Sequence, residues 1–276
     1  MPFRVNTNVS SVFVQKNLGR AQNRLQSNFE KLSSGLRINR AGDDAANLGV
    51  SEQMRSEIKS LRVAGRNTSD GINMVQVAEA GLAETTSMLS RMRELAVQSS
   101  SGLLQATERA YLATEFTSIQ TEIDRIANTT DFNGLNLGNG TNTSVDIQVG
   151  QFAAANNRIT VALQDADTTA LAIGTGTVDL TTAATSQTAI TAIDTALDSV
   201  NSSRASYGAA QNRLSSALSN LENYTEKLVA TESTIRDVDF ASETADLTRN
   251  QVFQQAGVSI LSQANQGPQA ALSLLQ

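Results

Sequence analysis

Ser56 and Lys59 stand in an S-x-x-K arrangement, a spacing that places a hydroxyl and an amine on one helical face and could in principle serve acyl transfer. That chemistry also needs S-D-N and K-T-G partners, and the chain contains neither, so the pair reads as solvated helix surface. Three carboxylate pairs, Asp43 with Asp44, Asp165 with Asp167 and Asp237 with Asp239, could share a proton or hold calcium. None carries the glycine and distal glutamate of an EF-hand loop, and the first and last pairs sit where aspartate caps a helix. Gly138-Asn-Gly140 and Gly174-Thr-Gly176 lack the lysine or third glycine of a phosphate loop and read as turns. The triplets Asn142 to Ser144 and Asn201 to Ser203 fit the glycosylation pattern, but such matches arise by chance in a chain rich in Asn, Ser and Thr. With no Cys and no His, thiolate and imidazole chemistry, disulfides, zinc sites and Ser-His-Asp triads are excluded. No catalytic residue, cofactor or metal ligand set is expected, and the chain reads as a non-enzyme.

The elements that carry these residues follow from composition and period. The chain has 276 residues, 40% of them apolar and only 4% aromatic, so a core must come from Leu, Ile, Val, Ala and Met, most of them good helix formers. Proline occurs only at Pro2 and Pro268, which leaves long helices uninterrupted between them. The net charge is -6 and the basic residues are scattered among acids, so neither nucleic acid nor an anionic membrane is an expected partner. No run of 18 apolar residues occurs, and residues 1 to 11 lack the apolar stretch of a secretory signal. The expected partners are proteins.

Apolar residues at Leu18, Ala21, Leu25, Phe29, Leu32 and Leu36 step by three and four and predict a helix with one narrow stripe, made to meet another helix. Ser33, Ser34 and Gly35 end it, and Gly42 with Asp43 and Asp44 predicts a turn in which one aspartate caps the next helix. The second stripe runs from Met54 through Ile58, Leu61, Thr68, Ile72, Val75, Leu82, Leu89 and Met92 to Ala96. It shifts sideways at Val75 as a stammer would. A continuous helix over this span would be roughly 65 Å long at 1.5 Å per residue. Beyond the break at Ser99 to Gly102, Leu112, Phe116, Ile119, Ile123 and Ile126 predict a third helix folding back on the second. Residues 128 to 183 are rich in Thr, Asn and Gly, with alternation at Val145, Ile147 and Val149 and at Ile159, Val161 and Leu163. This predicts a short β-hairpin followed by a polar excursion. Helical period returns at Ile190, Ile193, Leu197, Val200, Tyr207, Leu214, Leu218, Leu221 and Leu228, with Arg204, Gln211 and Thr225 as polar seam positions that fix register at some cost in stability. The segment from Asn250 to Gln276 carries no charged residue yet holds Val252, Phe253, Val258, Ile260, Leu261, Leu272, Leu274 and Leu275. Residues 5 to 15 are also uncharged, and both segments predict burial against other copies rather than within one chain.

The run Leu32-Ser-Ser-Gly-Leu-Arg-Ile-Asn-Arg-Ala-Gly-Asp-Asp-Ala-Ala46 resembles the N-terminal signature of bacterial flagellins, as does the opening Val5-Asn-Thr-Asn-Val9. Arg91-Met-Arg-Glu-Leu-Ala-Val-Gln98, Gln254 through Gln266 and Leu272-Ser-Leu-Leu275 extend the match in the same order, so that it covers about residues 1 to 140 and 185 to 276. At Asn47-Leu-Gly49 the chain departs from the pattern, because many flagellins have glycine directly after the alanine pair.

The resemblance implies a mainly α fold: long antiparallel coiled-coil helices from both termini, a small central β-hairpin and a short variable outer insert. It implies an inner terminal domain from residues 1–43 and 236–276, with a seam of Leu18, Leu25, Phe29, Leu32, Leu36, Phe253, Ile260, Leu261, Leu272 and Leu275. A helical core domain would take 44–139 and 184–235, with a hairpin from about 140–165, and 140–183 would form a short surface-exposed variable region. The implied function is that of a subunit polymerising into the helical flagellar filament of swimming bacteria, with a hook-filament junction protein of the same superfamily as the alternative. The implied partners are further copies of itself, an export chaperone covering the uncharged tail, the export apparatus, and the filament cap and hook-junction proteins. The implied location is the extracellular filament, reached without a cleaved signal peptide, and the tail is expected to order on assembly. Arg91, Leu95 and Glu115 match positions at which related flagellins contact the Toll-like flagellin receptor of vertebrates, with subunit contacts as their alternative role.

Overall fold

A computed structural model describes residues 8–273, with side chains described as far as residue 266, and among the described residues it has five helices and two small hairpins. The helices are α1 (Val9–Ser34), α2 (Ala45–Ser99), α3 (Ala106–Thr129), α4 (Ala183–Arg236) and α5 (Phe240–Ser273). The strands are β1 (Asp131–Phe132), β2 (Leu135–Asn136), β3 (Ser144–Gln148) and β4 (Arg158–Ala162), with one 3-10 turn at Ala155–Asn157. By packing density the chain forms two compact units, one of residues 1–58 and 226–276, the other of residues 59–225. The division falls inside α2 and α4, whereas the boundaries expected from sequence follow the turns at the helix ends.

In the first unit α1 and α5 run antiparallel. The Asn8 side-chain amide donates to the Ala264 carbonyl at 2.9 Å, and Leu36 forms an antiparallel bridge with Asp237. Between them, a Cβ at Gly257 would stand 3.4 Å from Leu18 Cδ1, so the helices meet closely there. Helix α1 ends at Gly35, whose φ of +72° is the left-handed value that favours glycine, and the chain then crosses to the end of α4. The Arg37 amide donates to the Arg236 carbonyl at 2.7 Å, and the Val238 amide donates to the Gly35 carbonyl at 3.0 Å. Asp44 accepts from the Asn47 amide at 3.0 Å and from its side-chain amide at 2.7 Å, so the residue that departs from the flagellin pattern doubles the cap of α2. Arg236, nearly buried, donates to Glu52 at 2.6 Å, and Arg55 lies 3.6 Å from Glu232.

In the second unit α2 runs antiparallel to both α3 and α4. Arg91 pairs with Glu115 on α3 at 2.7 Å, Arg93 with Asp194 on α4 at 2.6 Å and Arg204 on α4 with Glu79 at 3.2 Å. One core cluster joins Val75, Leu82, Leu89 and Met92 of α2, Phe116 and Ile123 of α3, and Ile193, Val200, Tyr207 and Leu214 of α4. The stripes read from the sequence are therefore the buried faces, including the sideways step at Val75. The expected hairpin is present, and its register sets Val145 opposite Val161 and Ile147 opposite Ile159. Its alternation sends Ile147, Ile159 and Val161 into the core, and Ile147 rests so close to Gly71 that a Cβ there would stand 2.5 Å from Ile147 Cδ1.

Two features differ from expectation. The hairpin of β1 and β2 is additional, formed around Asn133 and Gly134 in left-handed conformations. The segment after β4, expected as a polar excursion on a surface-exposed region, instead crosses the core: Leu163, Leu171, Ile173, Val178 and Leu180 are buried with the helices. Its backbone is held by helix side chains. Gln120 donates to the Ile173 carbonyl at 2.5 Å, Ser99 to the Leu180 carbonyl at 3.0 Å, and the Thr168 amide donates to Asp124 at 2.8 Å. A strap with so many buried polar contacts is part of the core rather than an appendage.

Candidate functional site

The groups that could have done chemistry are engaged in backbone geometry. Asp43 accepts from the Asn39 and Arg40 amides, and Asp239 accepts from the Ala241 and Ser242 amides at the start of α5. Asp237 accepts from Ser233 Oγ, Asp165 from the Asp167 amide and Asp167 from the Ala170 amide. Amide donors hold the Asp43 and Asp44 carboxyls below their ordinary range, that of Arg40 foremost for Asp43 and that of Asn47 for Asp44. Ser56 and Lys59 are exposed on α2. Among the described residues no three metal-ligating side chains gather, and no helix is long and apolar enough to cross a membrane.

The surface that stands out is apolar. On the α1/α5 pair Leu25 is buried and Leu18, Leu32, Leu36 and Leu261 are half-buried, in keeping with a seam. Phe29, Phe253 and Ile260, expected in that seam, face outward with more than half of their surface exposed, as do Phe13 and Val258. A narrow two-helix seam has room for one stripe from each helix, and α5 carries apolar residues on more than one face. Phe13, Leu18, Phe253, Gly257 and Ile260 line an open groove of about 600 Å³ along the pair. A second groove of about 750 Å³ runs beside Leu25, Phe29 and Gln254. The side chain of Leu272 and all of Leu275 lie outside the described residues.

The sequence matches to known proteins show the family. Residues 5–143 match the family model of the bacterial flagellin N-terminal helical region, and residues 190–275 that of the C-terminal helical region. The chain belongs to the bacterial flagellin family. It is 45% identical over 272 residues to a flagellin of Halalkalibacterium halodurans, covering 99% of both chains. It is also 42% identical to the flagellar filament 33 kDa core protein of Treponema phagedenis, again covering 99% of each. A solved structure of a putative flagellar hook-associated protein from Vibrio parahaemolyticus has a TM-score of 0.59 over 71% of this chain and all of that one. At 15% identity that likeness concerns the fold and gives no support to the hook-junction alternative. As a flagellin the chain is a structural, non-catalytic subunit of the flagellar filament, which forms by self-polymerisation.

The flagellin's expected contact residues separate by burial. Arg91 and Glu115 are exposed and paired to each other, and Glu115 first and then Glu94 hold the Arg91 guanidinium further toward its charged form. Leu95 is only 1% exposed and belongs to the core of the second unit, which corrects its place among surface contact candidates. It continues the buried stripe of Leu89, Met92 and Ala96, a helical spacing that marked it as core. Sequence reasoning missed the buried polar groups of the first unit: Ser11, Asn28, Ser51, Asn250 and Arg236. For Asn28 the available signal was its place beside Leu25 and Phe29 in the stripe.

Proposed function

We propose that the exposed apolar face of the α1/α5 pair is the surface through which filament subunits pack, and that the uncharged part of α5 is its essential half. The observation that supports this is the outward placement of Phe13, Phe29, Phe253, Val258 and Ile260 on one pair of helices. So much apolar area left in water is a standing cost that burial between copies would remove. Fully burying one such side chain contributes about 1.5–3 kcal/mol, so five together are ample to offset the cost of ordering the helix ends on assembly.

The remaining roles are those that the likeness to flagellins implies. Before assembly an export chaperone covers α5, and the subunit leaves through the flagellar export apparatus without a cleaved signal peptide to act in the extracellular filament. The filament cap and hook-junction proteins meet the same terminal helices at the two ends of the polymer. Arg91 and Glu115 serve as lateral subunit contacts, and the Toll-like flagellin receptor of vertebrates would engage the same exposed ion pair.

The test is electron microscopy of subunits after salting out, comparing the full chain with one truncated after Arg249. Long fibres from the full chain alone are expected. Fibres of equal length from the truncated chain would remove α5 from the interface, and discrete particles from both would overturn polymerisation through these helices.

A further inference from the structure

Pro268 lies within α5, and a proline has no amide hydrogen to give to the carbonyl four residues earlier. That carbonyl belongs to Ala264. It is the same carbonyl that receives the Asn8 side-chain amide at 2.9 Å, from the opposite helix and 256 positions away in sequence. The other end of the Asn8 side chain is also engaged. Its Oδ1 accepts from the Ser11 amide at 3.1 Å and so caps the start of α1.

We propose that Asn8 and Pro268 form a register lock: the proline frees one acceptor on α5, and the asparagine that caps α1 is the donor that takes it. Each half supplies what the other lacks. An asparagine side chain offers a donor and an acceptor on separate atoms, whereas an ionised aspartate cap offers acceptors alone. Along the body of α5 the other backbone carbonyls are engaged within the helix, so sliding α1 by a turn takes Asn8 away from the free acceptor and leaves the Ala264 carbonyl unpaired. Apolar contacts along the pair discriminate poorly against such a slip, since Leu18, Leu25 and Leu32 recur at intervals of seven and α5 is apolar on several sides. The backbone bonds of Arg37 with Arg236 and of Val238 with Gly35 tether the other end of the pair, and at this end one polar contact with a unique partner supplies the discrimination, as buried polar residues do in coiled coils. The lock bears on the proposed function because the outward groove is made of residues from both helices, and its shape holds only in one register.

The lock's consequence for assembly rests on the filament reading, but the coupling itself does not. The experiment is a double-mutant cycle on the full chain with N8D, P268A and N8D/P268A, in which aspartate keeps the cap acceptor and removes the donor, plus N8A alone and with P268A, which removes both. The readout is the concentration of subunit left unpolymerised at equilibrium. With Pro268 in place, N8D is expected to raise it about tenfold, a size consistent with losing one hydrogen bond and stranding its acceptor, and N8A more, because it also removes the α1 cap. In the P268A background, where an alanine amide now donates to the Ala264 carbonyl, N8D should change it less than about twofold, while N8A keeps only the cost of the lost cap. Equal effects of N8D in both backgrounds, or an N8D chain that behaves as the parent, would overturn the lock while leaving polymerisation intact. If the parent makes no fibres, the filament reading fails instead. N8D and N8D/P268A are then compared by amide hydrogen exchange at Ser11 and Val12 in the soluble chain, where a loss of protection in N8D that is the same with Pro268 and with alanine at 268 overturns the lock.

Discussion

At the scale of single residues, the chain uses its polar groups to end helices and its small ones to admit neighbours. Gly71 is a case of the second kind within the apolar core, because Ile147 of β3 occupies the space a side chain would need. G71A is expected to destabilise the second unit by about 1–3 kcal/mol through overpacking. I147V, which removes the offending Cδ1, should relieve part of that cost, so the double variant should melt above G71A alone in thermal denaturation followed by circular dichroism. A double variant that is simply the sum of its parts would show that the hairpin yields without strain. Asp239 illustrates the first kind. Its carboxylate receives two amides at the start of α5, and D239A should cost about 1 kcal/mol, measured as a lower midpoint for loss of helix in the first unit.

At the scale of elements, legibility in the sequence tracked regularity. The stripes of α2, α3 and α4 were readable because burial repeats every three or four residues, and β3 with β4 because it alternates. The strap after β4 was not, since Leu171, Ile173, Val178 and Leu180 reach the core through turns with no period, interrupted by Gly174 and Gly176. Strands β1 and β2 have two residues each, too few for alternation to register. In the candidate assembly surface the apolar content of α5 was legible, but which of its residues face α1 was not, because a helix apolar on several sides carries no directional signal. The strap makes its own prediction. Ile173 is fully buried, and I173A should destabilise the second unit by about 2–5 kcal/mol, whereas the same change at exposed Val97 should stay within about 0.5 kcal/mol in urea denaturation. If the strap were an excursion, the two would be alike.

At the scale of the whole molecule, the absence of histidine removes the side chain whose ordinary titration lies between pH 5 and 8. Stability should therefore be flat across that range. Acid is different. The carboxyls of Asp43, Asp44 and Asp179 are held below their ordinary values chiefly by backbone amides, and that of Glu52 chiefly by Arg236. A carboxyl whose folded value is depressed adds stability that is complete above its unfolded value and is lost as the pH falls through the folded one. The midpoint of thermal unfolding should thus hold steady from about pH 8 to about pH 5.5 and fall once the pH passes below about 4, where ordinary carboxylates protonate. Because Asp43, Asp44 and Glu52 all belong to the first unit, polymerisation should fail over the same window if it depends on that unit. The decisive comparison is D43N/D44N, an uncharged pair that no longer titrates: it should start less stable at neutral pH and lose less on acidification than the parent. Parallel acid profiles for the two chains would assign the acid response to other carboxylates, and a fall between pH 8 and 6 would require a titrating group that the side chains of this flagellin do not contain.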